Sequence, residues 1–411
     1  MLLTVALGGG IAALTTRSEP KTVAITVHAV QIPSPTITPS PTITPSATPS
    51  PTKPPTPAPT HAPQLAKTVQ PPGLNFGIAA GGGLADIGTA DLDTRFQDMR
   101  AIGVRWVRFD VDWSSIQPDS SDSYDWSDYD RIVAALQANG MNGLGIIDFT
   151  PAWARSSACA SSNRCEPSDP ATYAAFAKSV AARYAPDGVH TWEIWNEPNI
   201  TDFWLPQADT SVYTQMLKLS YQGIKSVDSS STVLVGGIAS CGTGAGNLSP
   251  TDFLSGIYAQ GGKGYFDAVA NHPYSVPFLP SFNWYWNYWQ QMAITQPSLR
   301  SVMVANGDGN KKIWITEYGT PTGGPGGEAS NGMTMAEQND DHVTEALQAQ
   351  TVTQAVQLYK SYPWAGAFFW YSYQDNGTDE SDTENFYGLI RADGSRKPAY
   401  YAYQSAIANA Q

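Results

Sequence analysis

From residue 73 onward, short apolar runs alternate with longer stretches patterned at helical spacing. Runs of four to eight residues rich in β-branched and aromatic side chains predict strands, and apolar positions at i, i+3 and i+4 predict helices. The strand runs are "LNFGIAA" (74–80), "VRWVRFDVDW" (104–113), "NGLGIIDFT" (142–150) and "VHTWEIWNEP" (189–198). They continue with "STVLVGGIA" (231–239), "FDAVANHPY" (266–274), "KKIWITEYG" (311–319) and "WAGAFFWYSY" (364–373). Helical stretches separate them, among them "DLDTRFQDMRAIG" (91–103), closed by Gly103, and "DDHVTEALQAQTVTQAVQLYKSY" (340–362). Eight strands in βα alternation predict an α/β fold with a parallel sheet closed into a (β/α)8 TIM barrel. A doubly wound open sheet would need a G-x-G-x-x-G turn after the first strand. "GIAAGGGLADIG" (77–88) has the glycines without that spacing and reads as a glycine-rich βα loop.

The first 72 residues follow another pattern. Residues 1–32 begin "MLLTVALGGGIAAL", apolar and uncharged but short of the roughly 20 residues of a membrane span. No basic n-region precedes it. The segment is expected to be the remnant of an export signal or membrane anchor with a short connector. Residues 33–72 form a Pro/Thr/Ser-rich tract with a loose "PSPTIT" repeat, predicted to be an extended, disordered linker. Residues 73–411 are then the globular domain.

Composition narrows the partners. The formal charge of -13 argues against nonspecific binding to nucleic acid or an anionic membrane. Charged residues make up 14%, while there are 13 Trp and 20 Tyr, which suits neutral, partly apolar ligands such as sugars or simply a large core. Cys159 and Cys165 lie close together without the accompanying pair of a zinc site, and are expected to form a disulfide. With the spacer-like tract, that bond leads to the expectation of an extracellular chain, secreted or anchored at the cell surface. Cys241 is left as a thiol.

In a barrel of this kind the chemistry sits at the C-terminal ends of the strands. Those ends carry Arg108, Asp110 and Asp112; Asp148 and Trp153; Asn196 and Glu197; His272 and Tyr274; Glu317; and Trp370, Tyr371 and Tyr373. Glu197 and Glu317 each follow a strongly apolar strand. Strands four and seven lie across the ring from one another, so the two carboxyls flank the mouth, as glycoside hydrolysis requires.

The motifs "WEIWNEPN" and "IWITEYG" resemble the acid/base and nucleophile signatures of the clan A retaining glycoside hydrolases. The strings "GVRWVRFDVDWSSIQP", "FTPAWA" and "FYGLIRADGSRKPAYYAY" look most like family 39 and its neighbour family 5. The resemblance spans the globular domain. It implies Glu197 as acid/base and Glu317 as nucleophile, with no cofactor and no metal. Arg108 and Tyr274 are expected to hold Glu317, Asn196 to meet the sugar 2-hydroxyl, and His272 to line the pocket. Trp370 takes the clan's stacking role, with Trp153 and Trp204 in neighbouring loops. Glu193, lower in strand four, reads as a structural acid paired with an arginine. Trp284, Trp286 and Trp289 (within 281–291) either pack inward or extend the cleft over several sugars. The acidic segment 375–385 reads as a solvated loop, with calcium binding as the alternative. The expected activity is endo-cleavage of a β-linked oligo- or polysaccharide. An exo-β-glycosidase such as a β-xylosidase, or a non-hydrolysing sugar-binding surface protein on the same barrel, are the alternatives.

Overall fold

The structure, a computed structural model, describes residues 75–410. The expected export or anchor segment (1–32) and linker (33–72) lie outside the described residues. Eight strands close a parallel barrel in sequence order: β1 (Asn75–Ala79), β2 (Trp106–Asp112), β3 (Asn142–Asp148), β4 (Thr191–Asn196), β5 (Thr232–Ala239), β6 (Ala268–His272), β7 (Lys312–Tyr318) and β8 (Ala365–Tyr371). β8 returns to β1 with Ala79 beside Tyr371.

Helices fill the crossovers, and their starts are written in the sequence. Asp169 accepts from Ala171 N with Pro170 in the first turn, and Asp209 accepts from Ser211 N and Val212 N. The strands are buried on both faces. Inward-facing Trp106, Leu144, Leu234, Ala268, Ala367 and Phe369 form a plug at the barrel floor, with Trp314 edge-on to Trp106 at 5.6 Å. Outward-facing side chains such as Val107, Ile147, Ile194, Ile315 and Phe368 join the helices in the main core.

One predicted helix begins later than its pattern suggested. Residues Asp340–Val343 pair with Gly327–Ala329 in a small two-stranded sheet. The helix Glu345–Ser361 starts behind Thr344, whose hydroxyl accepts from Leu347 N. Ala329, Val343 and Leu347 pack on Leu279 from the loop after β6, and Leu279 N donates to Gly332 O at 2.9 Å. The two loops on this side of the mouth are thereby joined by a core of their own.

Candidate active site

At the centre of the mouth stands Arg108, wholly buried on the inward face of β2. Its Nε and Nη2 donate to the two oxygens of Glu193 at 3.0 and 2.8 Å, a fork-to-fork pair. Nη2 also donates to Asn196 Oδ1 at 2.7 Å, and Nη1 donates to Glu317 Oε1. One guanidinium thus fixes groups on β4 and β7. Glu193 also accepts from Gly237 N at 2.6 Å. A side chain at 237 is excluded, because a Cβ there would lie 2.1 Å from His272 Nε2.

The ends of β4 and β7 depart from strict alternation, and this is what delivers the two acids. Trp195 has φ 70°, a left-handed conformation rare outside glycine. Its ring turns outward beside Ile194, packing on Trp204 at 5.2 Å and donating from Nε1 to Phe203 O at 2.8 Å. Asn196 then faces inward, and Glu197, with φ 47°, follows at the rim. In β7 a register shift against β8 lets both Thr316 and Glu317 face the lumen, while Tyr318 packs outward.

The result is a compact cluster. One carboxylate oxygen each of Glu197 and Glu317 and a nitrogen of His272 lie within 4.8 Å of one another. His272 Nδ1 is 2.8 Å from Glu197 Oε1 and 3.7 Å from Glu317 Oε2, and its Nε2 is 3.0 Å from the Thr316 hydroxyl. Tyr274 OH donates to Glu317 Oε2 at 2.9 Å.

The same surroundings push the two acids apart. Burial, joined by the charge of Glu317, raises Glu197 above the usual carboxylate range, against the opposing pull of His272 and Arg108. Burial would raise Glu317 too, but His272, Arg108 and the Tyr274 hydrogen bond outweigh it and hold Glu317 below its ordinary value. The two carboxyls are thus pushed in opposite directions, Glu197 towards its protonated form and Glu317 towards its ionised form.

Arg108, Asn196, Glu197, His272, Tyr274 and Glu317 therefore converge. Glu193 is the arginine-paired acid that its position in β4 implied. Trp370 and Trp204 do not converge. Trp370 is fully buried on the outward face of β8, edge-on to Tyr318 at 6.0 Å, and Trp204 is buried against Trp195 and Tyr213. Neither presents a face to a sugar. The β8 ring on the inward side is Tyr371, stacked obliquely on Tyr387 at 5.2 Å, with Tyr387 in turn edge-on to Tyr274. Period two carried forward from Phe369 reaches Tyr371, but only the register with β1 fixes Phe369 itself as inward; Tyr387, in a loop, has no such signal. Trp153 is half-buried, edge-on to Trp113, with Nε1 donating to Gln117 O. The tryptophans of 281–291 divide: Trp289 is core, Trp284 half-buried, and Trp286 exposed beside Tyr285. Cys159 and Cys165 are bonded, and Cys241 is free. In the 375–385 loop, Asp375 pairs with Lys397 at 2.7 Å and Asp382 caps a short helical turn.

Residues 74–355 match the family model described as cellulase, glycosyl hydrolase family 5. Among solved structures the chain is similar to a family 39 glycoside hydrolase from the gut symbiont Bacteroides cellulosilyticus WH2, at 22% identity and TM-score 0.62. That alignment covers 82% of this chain and 63% of the other, so the chain spans under two thirds of that protein's length. It is also similar to a GH39 β-xylosidase from Caulobacter crescentus, at 20% identity, TM-score 0.58, and 82% and 71% coverage. A third is GH5_18 from Streptomyces cattleya in complex with GlcNAc, at 16% identity, TM-score 0.57, and 82% and 80% coverage. At these identities the structural likeness speaks for the fold.

Proposed function

Because the chain belongs to the cellulase family, glycosyl hydrolase family 5, we propose that it is a retaining β-glycosidase acting by double displacement through Glu317 and Glu197. The observation that carries this reading is the approach of the two carboxylates to within 4.8 Å. Retaining enzymes hold their carboxyl groups about 5–5.5 Å apart, whereas inverting ones leave about 6.5–9.5 Å for a water.

Glu317, kept ionised by Arg108 and Tyr274, attacks the anomeric carbon. As that bond forms, the glycosidic C–O bond breaks and the departing oxygen takes the Glu197 proton. Glu197, deprotonated by the first step, then accepts a proton from water, and with Glu317 esterified and uncharged one of the influences that raise Glu197 alongside burial is gone. The hydroxide equivalent attacks the anomeric carbon and returns Glu317 as a carboxylate. Asn196, fixed by Arg108, is placed for the sugar 2-hydroxyl, and Tyr371 offers the stacking face.

Endo-cleavage of a β-linked polysaccharide is the favoured mode, supported by the exposed Trp286 and Tyr285 rings on the rim beyond β6. The similar structures include a GH39 β-xylosidase from Caulobacter crescentus, so exo-cleavage is the second reading. An extracellular site of action, with the N-terminal segment as a possible tether, is part of the proposal and rests on the Cys159–Cys165 bond. The test is proton NMR of early products from soluble β-glucan, xylan, mannan and galactan. An initial β-anomer within a ladder of oligosaccharides is expected. An initial α-anomer would refute retention, and monosaccharide alone would refute endo action.

The opposed acids also set the pH dependence. Activity needs Glu317 deprotonated and Glu197 protonated. With Glu317 lowered, the acidic limb of kcat/KM falls below the ordinary carboxylate range; with Glu197 raised, the alkaline limb lies above it. Glu197→Gln is expected to lose the alkaline limb and about 10²–10⁴-fold in rate on substrates with a poor leaving group. A pH profile of that variant with the wild-type alkaline limb intact would assign the limb elsewhere.

A further inference from the structure

The mouth holds two carboxyls that double displacement does not use. Asp110 and Asp148 lie on the inward sides of β2 and β3, following Arg108 and Leu144 in the same alternation. Asp148 is completely buried and neither of its oxygens has a hydrogen-bond partner. The cation that acts on both is Arg108, whose fork is committed to Glu193, Asn196 and Glu317. A buried carboxyl so placed keeps its proton or waits for a donor. Burial raises Asp110 to about 7 against the pull of Arg108, with the charges of Glu317 and Asp112 adding to the rise, and burial with Asp110 as neighbour holds Asp148 well above its ordinary value.

The loop after β1 leaves room over this pair. A Cβ on Gly82 would stand 3.1 Å from Asp110 Oδ2, and one on Gly81 3.9 Å from the Tyr371 ring. Gly82 thus leaves clear a niche beside Asp110 Oδ2, near enough to Glu317 for its charge to be felt at Asp110.

We propose that Asp110, backed by Asp148, is the specificity-determining acid of the glycon subsite, accepting hydrogen bonds from the hydroxyl edge of an uncharged sugar and barring glycuronic acids. An uncharged pyranose brings hydroxyl donors to the half-buried Asp110, while the wholly buried Asp148 acts on it only as a neighbour. A uronate would set a further carboxylate beside Glu317, and beside Asp110 wherever the pH lies above the value of about 7 at which that group ionises, with no uncommitted cation to meet it. The inference rests on the retaining-glycosidase reading, and Glu317→Gln separates the two: activity surviving in that variant refutes the mechanism whatever Asp110 does.

The experiment uses the full chain and aryl β-xyloside, β-glucoside, β-mannoside, β-glucuronide and β-glucosaminide. In the wild type, kcat/KM for the glucuronide is expected to be at least about 10³-fold below that for the fastest neutral glycoside. Asp110→Asn is expected to lower kcat/KM for the neutral glycoside by about 10²-fold, mainly through KM, and to narrow the gap to the glucuronide at least about tenfold. Circular dichroism and a denaturation curve on the variant separate this from misfolding, and Asp110→Ser, which frees the niche of charge, gives a second measurement of the gap. Wild-type cleavage of the glucuronide at the neutral rate, or an unchanged gap in both variants, would overturn the assignment. A tenfold preference for the ammonium-bearing glucosaminide would overturn the uncharged glycon.

Discussion

Glu317→Gln is expected to reduce kcat/KM by about 10⁴–10⁶-fold with the fold intact, the scale on which loss of a covalent nucleophile is felt. The amide keeps the shape of the carboxylate and leaves Tyr274 and Arg108 in place, but it cannot form the glycosyl ester. Glu317→Gly makes the stronger test. It opens a hole where the nucleophile stood, and added azide then attacks the anomeric carbon from the vacated face. The product is a glycosyl azide of inverted configuration, read by NMR. Hydrolysis by Glu317→Gln within about tenfold of wild type would end the double-displacement mechanism for this chain.

The second large effect is on stability and activity together. Arg108→Met is expected to destabilise the domain by about 3–5 kcal/mol, because it strands Glu193 as a buried, uncompensated charge. A urea denaturation curve reads this directly. Adding Glu193→Gln removes the stranded charge and should restore part of the stability, which a double-mutant cycle will show as coupling. Activity should not return with it. Glu317 still lacks its guanidinium partner, so its depressed titration moves upward and the acidic limb of kcat/KM shifts to higher pH. Full recovery of activity in the double variant would mean that Arg108 serves the fold alone.

Much of this was legible in the chain because the barrel repeats one rule eight times. Apolar runs and helical spacers mark the βα units, with Asp169 and Asp209 capping two of the helices, and all eight predicted strands are present. The two glutamates were legible because each closes an apolar run where no structural acid is needed. What escaped were places where alternation breaks. "AFFWYSY" places four aromatic rings in succession, and only the register with β1 decides that Tyr371, not Trp370, faces the mouth. Trp204 looked like a cleft residue by loop position, but the left-handed turn at Trp195 swings that neighbouring ring outward onto it. Tyr387 reaches the mouth from a loop with no period at all.

The small sheet after β7 braces the segment that carries the exposed rim aromatics. Leu279, Ala329, Val343 and Leu347 form a dry knot, and Asn287 Nδ2 donates to both Leu279 O and Phe282 O at 3.0 Å. Tyr285 and Trp286 therefore ride on a braced segment, not on a free loop. Aromatic platforms that are already immobile lose little conformational entropy when a chain is laid across them. Under the proposed endo-cleavage the rim would work as a fixed ruler, favouring straight, regular glycans whose faces recur at its spacing over kinked or branched ones.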